Sequence, residues 1–240
     1  MKKILTLLDS LCLTKSSKSM LAIGIIFVVA DCTYVGQVTM APKVEKMEIA
    51  KPIPLEAGLL ITEESKNQIF RSPSYPDYRH NYPVYFIEPY QLPIGEAFEK
   101  AAFQIFSQVF QKVHLIRSLD EAKNYRLVIE PRLADFYLHL IYNFFNEMRP
   151  YYALVEIQCK AKVNGTLINQ GRTVWQKTIE PPLETRSQVY SDLLKNTVGE
   201  QASETIVLAL KELAIKMMEE SIVTPRPVRG WLEEINQVNR

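Results

Sequence analysis

An apolar run of eleven residues, Met20 to Ala30, is followed at once by Asp31 and Cys32. As a helix it would rise about 16 Å, roughly half the thickness of a bilayer's hydrocarbon core. It is therefore too short to span a membrane comfortably, but it matches the apolar core of a secretory signal. Lys2, Lys3, Lys15 and Lys18 precede it, opposed by Asp9 alone, and Ile4 to Leu8 forms a smaller apolar patch. This feature divides the chain. Residues 1–31 read as a signal peptide, 32–56 as a tether, 57–223 as an α+β domain and 224–240 as a C-terminal tail.

Three fates of the leader remain open. Val28-Val29-Ala30 places small residues where an ordinary signal peptidase cuts, which would release Asp31 as the new N-terminus. Val29-Ala30-Asp31-Cys32 has the form of a lipobox, in which the cysteine is acylated (with palmitate, for example) and becomes the first mature residue. Asp31 departs from that pattern, which calls for Gly, Ala or Ser there. The third fate is an uncleaved anchor.

Residues 1–31 carry four lysines and two aspartates, which leaves 24 basic and 25 acidic side chains, a formal charge of −1. Such a balance gives no footprint for nucleic acid, whose binding requires clustered Lys and Arg. With 47% hydrophobic residues the remainder can bury a core of domain size. Cys12, Cys32 and Cys159 have no metal-ligand spacing, so neither metal nor cofactor is expected. Cys159 is either a partner for Cys32 or, if Cys32 is acylated, a lone buried thiol.

Pro42, Pro52 and Pro54 favour an extended tether, and Gly58 to Ile61 reads as a first short strand. Phe70 to Gly95 holds five prolines and five tyrosines, with a short strand at Val84 to Glu88. Its rings either grip a partner, with Tyr75, Tyr78 and Tyr82 as the candidates, or fold back over the edge of the core. A wide apolar stripe at helical spacing predicts a helix from Ile94 to Val113, packed on a sheet. Ser118 to Asp120 reads as a loop and Tyr125 to Phe145 as one bent strand or two, with Pro131 at an edge or bulge. Tyr151 to Val163 alternates apolar and polar residues, and Asn164-Gly165 predicts a tight hairpin, with Gly171 a bulge in the returning strand. A last helix, kinked at Gly199, is expected from Arg186 to about Ser221, and Trp231 either seats on the body or docks on a partner.

His80, His114 and His139 lie apart, with no zinc-protease or nucleophile-elbow context. Glu130 and Asp135 are five apart and fall on opposite faces of a regular strand, a poor acid/base couple unless a bulge intervenes. The eight glycines include no phosphate-binding loop. No catalytic residue emerges, which favours a binding or structural protein over an enzyme.

The order of elements, a helix opening on Gly95-Glu96-Ala97-Phe98, the signal ending at Cys32 and the hairpin at Asn164-Gly165 resemble small bacterial envelope lipoproteins. The likeness is to those that assist lipopolysaccharide assembly or envelope ABC transport, and it is architectural. It implies a periplasm-facing α+β domain: an antiparallel sheet with two main amphipathic helices packed on one face. It also implies an outer-membrane lipid anchor at Cys32 and a protein or glycolipid partner from the envelope. A secreted hydrolase of envelope glycan, using Glu130 or Asp135, and an uncleaved inner-membrane-tethered interaction domain are the alternatives.

Overall fold

A computed structural model describes residues 36–49, 52–72, 90–144, 153–180, 185–190 and 194–220. The larger sheet is mixed. Its spine runs β5 (Phe110–Ile116), β2 (Ile53–Leu60), β6 (Leu127–Phe144), β7 (Ala153–Asn169) and β8 (Arg172–Ile179), and β9 (Thr185–Tyr190) also pairs with β7. β2 lies parallel to both β5 and β6, whereas the pairs from β6 onward are antiparallel. The expected antiparallel sheet is thus corrected in its first half. There the chain passes from β2 to β5 through helix α2 (Ile94–Val109), and parallel neighbours need such a crossover. A smaller sheet sets β1 (Gly36–Gln37) parallel to β4 (Tyr90–Leu92) and β4 antiparallel to β3 (Phe70–Arg71).

α2 ends earlier than its periodicity predicts. Phe110 is extended, at φ −112° and ψ 152°, and is at once the helix cap and the first residue of β5. Phe110 and Val113 sit three apart, a spacing that continues the helical stripe, yet on β5 both belong to the core. The segment from Ser118 is not a plain loop either. Its hydroxyl accepts from the Glu121 amide at 3.2 Å and caps the single-turn helix α3 (Leu119–Ala122).

The predicted hairpin turn moves six residues along. β7 runs straight through Asn164 and Gly165, and the reversal falls at Gln170 and Gly171, both at positive φ (49° and 76°). Asn-Gly is a strong turn signal, but here Gly165 answers a packing demand. A Cβ there would stand 2.5 Å from Leu213 Cδ1 of helix α4 (Leu194–Glu219), so the strand needs a glycine to admit the helix. Gly171 supplies the left-handed turn instead of a bulge.

α4 also starts later than expected: Thr185 to Tyr190 is strand β9, and the helix runs unbroken through Gly199. Gly199 is explained by the chain above it. A Cβ there would strike the Thr39 carbonyl. Residues 36–49, read as part of a solvated tether, instead form a strap across both helices, with Val38 and Met40 buried in the core. The Val38 amide donates to the Gln91 carbonyl just before α2. The Met47 amide donates to Gln108 Oε1 near the end of α2, and Lys211 of α4 meets Glu45 at 3.6 Å. The strap therefore follows α2 and α4 from their N-terminal toward their C-terminal ends, and the two helices run in the same direction. Strap, helices and sheet make three layers around one main core.

Replacing Gly165 by Ala should destabilise the fold by about 1–3 kcal/mol through overpacking. In a Leu213→Ala background the added methyl enters space already vacated, so the two costs should be less than additive. Urea denaturation of the four members of this cycle checks it, and strict additivity would mean that Gly165 does not sit under Leu213.

Candidate functional site

The described residues include the two ends of the tyrosine-rich segment, a polar cleft and the stretch of β6 that carries Glu130, Asp135 and His139. Residues 73–89 leave at Ser72 and return at Tyr90. The Ser72 amide donates to the Tyr90 carbonyl at 2.9 Å, and the Tyr90 amide donates to Ser72 Oγ at 2.7 Å. Both ends of that segment are thereby clamped on the β3–β4 ladder. Phe70, two residues before the clamp, meets Phe136 of β6 edge-on at 5.1 Å between ring centroids. Tyr75, Tyr78, Tyr82, Cys32 and Trp231, together with the expected Val84 to Glu88 strand, lie outside the described residues.

Before the clamp in the chain, Gln68 lines a cavity of about 540 Å³ together with Thr62, Glu64, Ser65 and Arg132. Four of these come from the single-turn helix α1 (Glu63–Lys66) and its flanks, where Thr62 Oγ1 accepts from the Ser65 amide at 3.3 Å. A turn this short needs tertiary support. Arg117 provides it: its Nη1 donates to the Ile61 carbonyl at 3.2 Å, its Nε meets Glu63 at 3.1 Å, and Nη1 also pairs with Glu99 of α2. The Glu99 carboxylate holds the Arg117 guanidinium above its usual range, against the opposing effect of burial. On the cleft's other side Arg132 is fixed by Glu130, with Nε to Oε1 at 2.9 Å. No reading of the sequence picked out this cleft. Thr62 followed by Glu63 and Glu64 is nonetheless a helix-start signal that would have located α1.

Glu130 and Asp135 share a face after all. Between Leu133 and Asp135 the pairing slips by one, so Ala134 is the extra residue of a bulge, three residues beyond the proline expected to cause one. The expectation of opposite faces is corrected by that slip. The two carboxylates are already engaged, however: Glu130 with Arg132, and Asp135 Oδ1 with the Phe136 amide at 2.9 Å. His139 follows on the same strand, its ring stacked against the half-exposed Tyr137 at 6.0 Å. His114 lies on β5, where Glu56 bridges it and Lys112, each at 3.3 Å; His80 is outside the described residues. Those partners, Lys112 first, hold the Glu56 carboxyl below its usual range.

Among the described residues no group of three or more His, Cys, Asp or Glu is placed to hold a metal ion. Cys159 is a fully buried thiol that forms no disulfide, which sets aside the pairing with Cys32. Burial pushes it up to about 12, only partly offset by a hydrogen bond with Thr205 of α4, so it is inert as a nucleophile. No described helix is long and apolar enough to cross a membrane.

The architecture is that of an α+β domain with two long helices on one face of a mixed sheet. No protein-family model and no curated protein matches the chain. Among solved structures, the chain is similar to the DUF330 protein XCC0632 from Xanthomonas campestris. That match has 12% identity, covers 86% of this chain and 98% of that one, and has a TM-score of 0.35. A neuraminyllactose-binding hemagglutinin homolog from Helicobacter pylori matches at 10% identity, with 82% and 98% coverage and a TM-score of 0.33. A minor lipoprotein from Acinetobacter baumannii matches at 12% identity, with 70% and 91% coverage and a TM-score of 0.30. No family membership follows from superpositions this loose.

At the far end of α4, Glu220 accepts from Trp175 Nε1 at 2.6 Å and pairs with Lys177, both on β8. The Lys177 ammonium leads in holding the Glu220 carboxyl below its usual range. A carboxyl lowered by folding stabilises the native state above its unfolded pKa, and the gain is lost as pH falls through the folded value. Glu220→Gln should therefore cost about 1 kcal/mol at pH 7. The deficit should narrow as pH falls below 4.5, the ordinary value for Glu. Urea midpoints of both proteins from pH 7 to 3 measure it, and a deficit independent of pH would remove the ion pair from the account.

Proposed function

We propose that this chain is an exported, non-enzymatic protein of the bacterial cell envelope that holds or supports the assembly or transport of another envelope component. The leader ending before Cys32 supports export. The anchor is an acylated Cys32 in the outer membrane, with the body facing the periplasm. A single acyl chain binds a bilayer only marginally, so stable mooring calls for more than one on that cysteine. The partner is an envelope protein or glycolipid.

The observation that carries the binding role is the Ser72–Tyr90 clamp. It ties both ends of a seventeen-residue segment rich in tyrosine to the β3–β4 ladder. Fixing the ends of a loop lowers the entropy lost when it engages a partner. Tyr75, Tyr78 and Tyr82 are the proposed contact residues, with Trp231 as a further anchor. The hydrolase reading is weaker, because Glu130 and Asp135 are both committed to internal partners.

Mass spectrometry of the mature N-terminus tests the anchor. Acylated Cys32 is expected; a free Asp31 would mean a secreted protein, and an intact Met1 a tethered one. Replacing Tyr75, Tyr78 and Tyr82 together by Ser should abolish partner capture from solubilised envelopes while leaving the urea midpoint within about 0.5 kcal/mol of the parent. A large loss of stability with capture retained would assign the rings to covering the core.

A further inference from the structure

β6 is the longest strand, and most of one side of it pairs with nothing among the described residues. β7 covers its whole length on one edge. On the other edge β2 reaches only Val128 and Ile129. The beginning of the open stretch is guarded against pairing by Pro131, which has no amide hydrogen, and by the bulge at Ala134. From Phe136 onward that protection ends. The Phe136 amide is taken by its neighbour's carboxylate, Asp135 Oδ1, which marks it as pointing away from β7. By the alternation of an antiparallel ladder, the amides and carbonyls of Leu138 and Leu140 also face outward.

We propose that this edge is a self-association surface, on which a second copy of the chain pairs antiparallel through β6 about a two-fold axis at Tyr137. A strand pairing with its own copy must be complementary to its own reverse, and this one is. About Tyr137, Phe136 opposes Leu138, so the apolar inner faces of the two sheets join into one. On the outer face Asp135 opposes His139, an acid against a group able to carry positive charge. Tyr137 meets its own copy on the axis. It is 47% exposed, whereas Phe136 and Leu138 are buried in the core. On pairing, the Phe136 amide exchanges Asp135 Oδ1 for the Leu138 carbonyl of the second copy, which frees that carboxylate for His139. With the flanking residues exchanging the hydrogen bonds, Tyr137 forms a non-hydrogen-bonded pair, whose Cα atoms lie about 4.5 Å apart. That separation admits a disulfide.

The test uses the full chain, purified in dodecylmaltoside. Tyr137→Cys under mild oxidation should give a reducible dimer in most molecules. Wild type and Thr166→Cys, on the same face one strand inward, carry the same native cysteines and should not. Sedimentation equilibrium supplies the second arm. His139→Asp sets two carboxylates against each other at both ends of the pairing and should weaken the dimer about tenfold. Adding Asp135→Lys should restore it. A Tyr137→Cys protein that stays uncrosslinked, a wild type that sediments as a monomer, or a double variant as weak as His139→Asp would overturn the proposal, leaving the edge to another segment of this chain or to a different partner.

Discussion

Helix α4 must be buried on nearly every side, and the rest of the fold is arranged to allow it. Gly165 opens a groove in β7 beneath Leu213, and Gly199 lets the Thr39 carbonyl cross above the helix. Between those two approaches lie Val198, Ala202, Ile206, Ala209, Leu210 and Leu213, all essentially removed from water. Burying each of the larger side chains contributes about 1.5–3 kcal/mol before the entropy of ordering is subtracted. No helix gains that from a sheet alone, because a sheet covers one face. α2 beside α4 and the strap above it supply the remainder, which is why Val38 and Met40 belong to the core.

The parts of this plan that rest on a simple period were legible. The apolar stripe of α2, the alternation in β7 and the helical run after Leu194 each declare one buried face. The misplacements came where a residue served two demands. Phe110 and Val113 fit a helix and a strand equally well, so the end of α2 was hidden. Gly165 satisfied the local grammar of a turn while answering a demand from Leu213, some fifty residues away. Gly171, six residues later, was free to make the turn because nothing lies within 4 Å of where its Cβ would be. The parallel arrangement of β2, β5 and β6 left no mark in any one segment, since strand direction depends on the crossover between strands. The candidate site was harder still. Its tyrosines stand out in the sequence, but the cleft joins Arg132 to residues 64 to 70 positions earlier.

The outer face of the sheet tells the complementary story. Arg132, Asp135, Tyr137 and His139 on β6 face Asn164, Lys162, Lys160 and Gln158 on β7 in register. Among the described residues, a small second cluster, Leu60, Ile116 and Val128 under Ala122 and Tyr125, covers one end of that face. The bulge at Ala134 keeps it polar. Were Ala134 paired in regular alternation instead of bulged, Asp135, Tyr137 and His139 would turn inward against the helices while Phe136, Leu138 and Leu140 faced water. By absorbing one residue the bulge preserves the core beyond it and gathers five polar or aromatic side chains of β6, Glu130, Arg132, Asp135, Tyr137 and His139, on one surface.

The strap also changes what an anchor at Cys32 would do. A tether running to residue 56 would let a domain roam; from Cys32 to Gly36, the first buried residue of the strap, there are four steps, at most about 14 Å when fully extended. Under the proposed acylation, the body would be held within that distance of the bilayer surface. A partner captured by the clamped tyrosine segment would then be met at the membrane and not across the width of the periplasm. Short reach also raises the effective concentration of the body for anything in the same leaflet, a gain that needs no added contact. Moored in that way, with residues 36–49 laid along its helices, the chain would be better suited to working on neighbours in its own membrane than to bridging two.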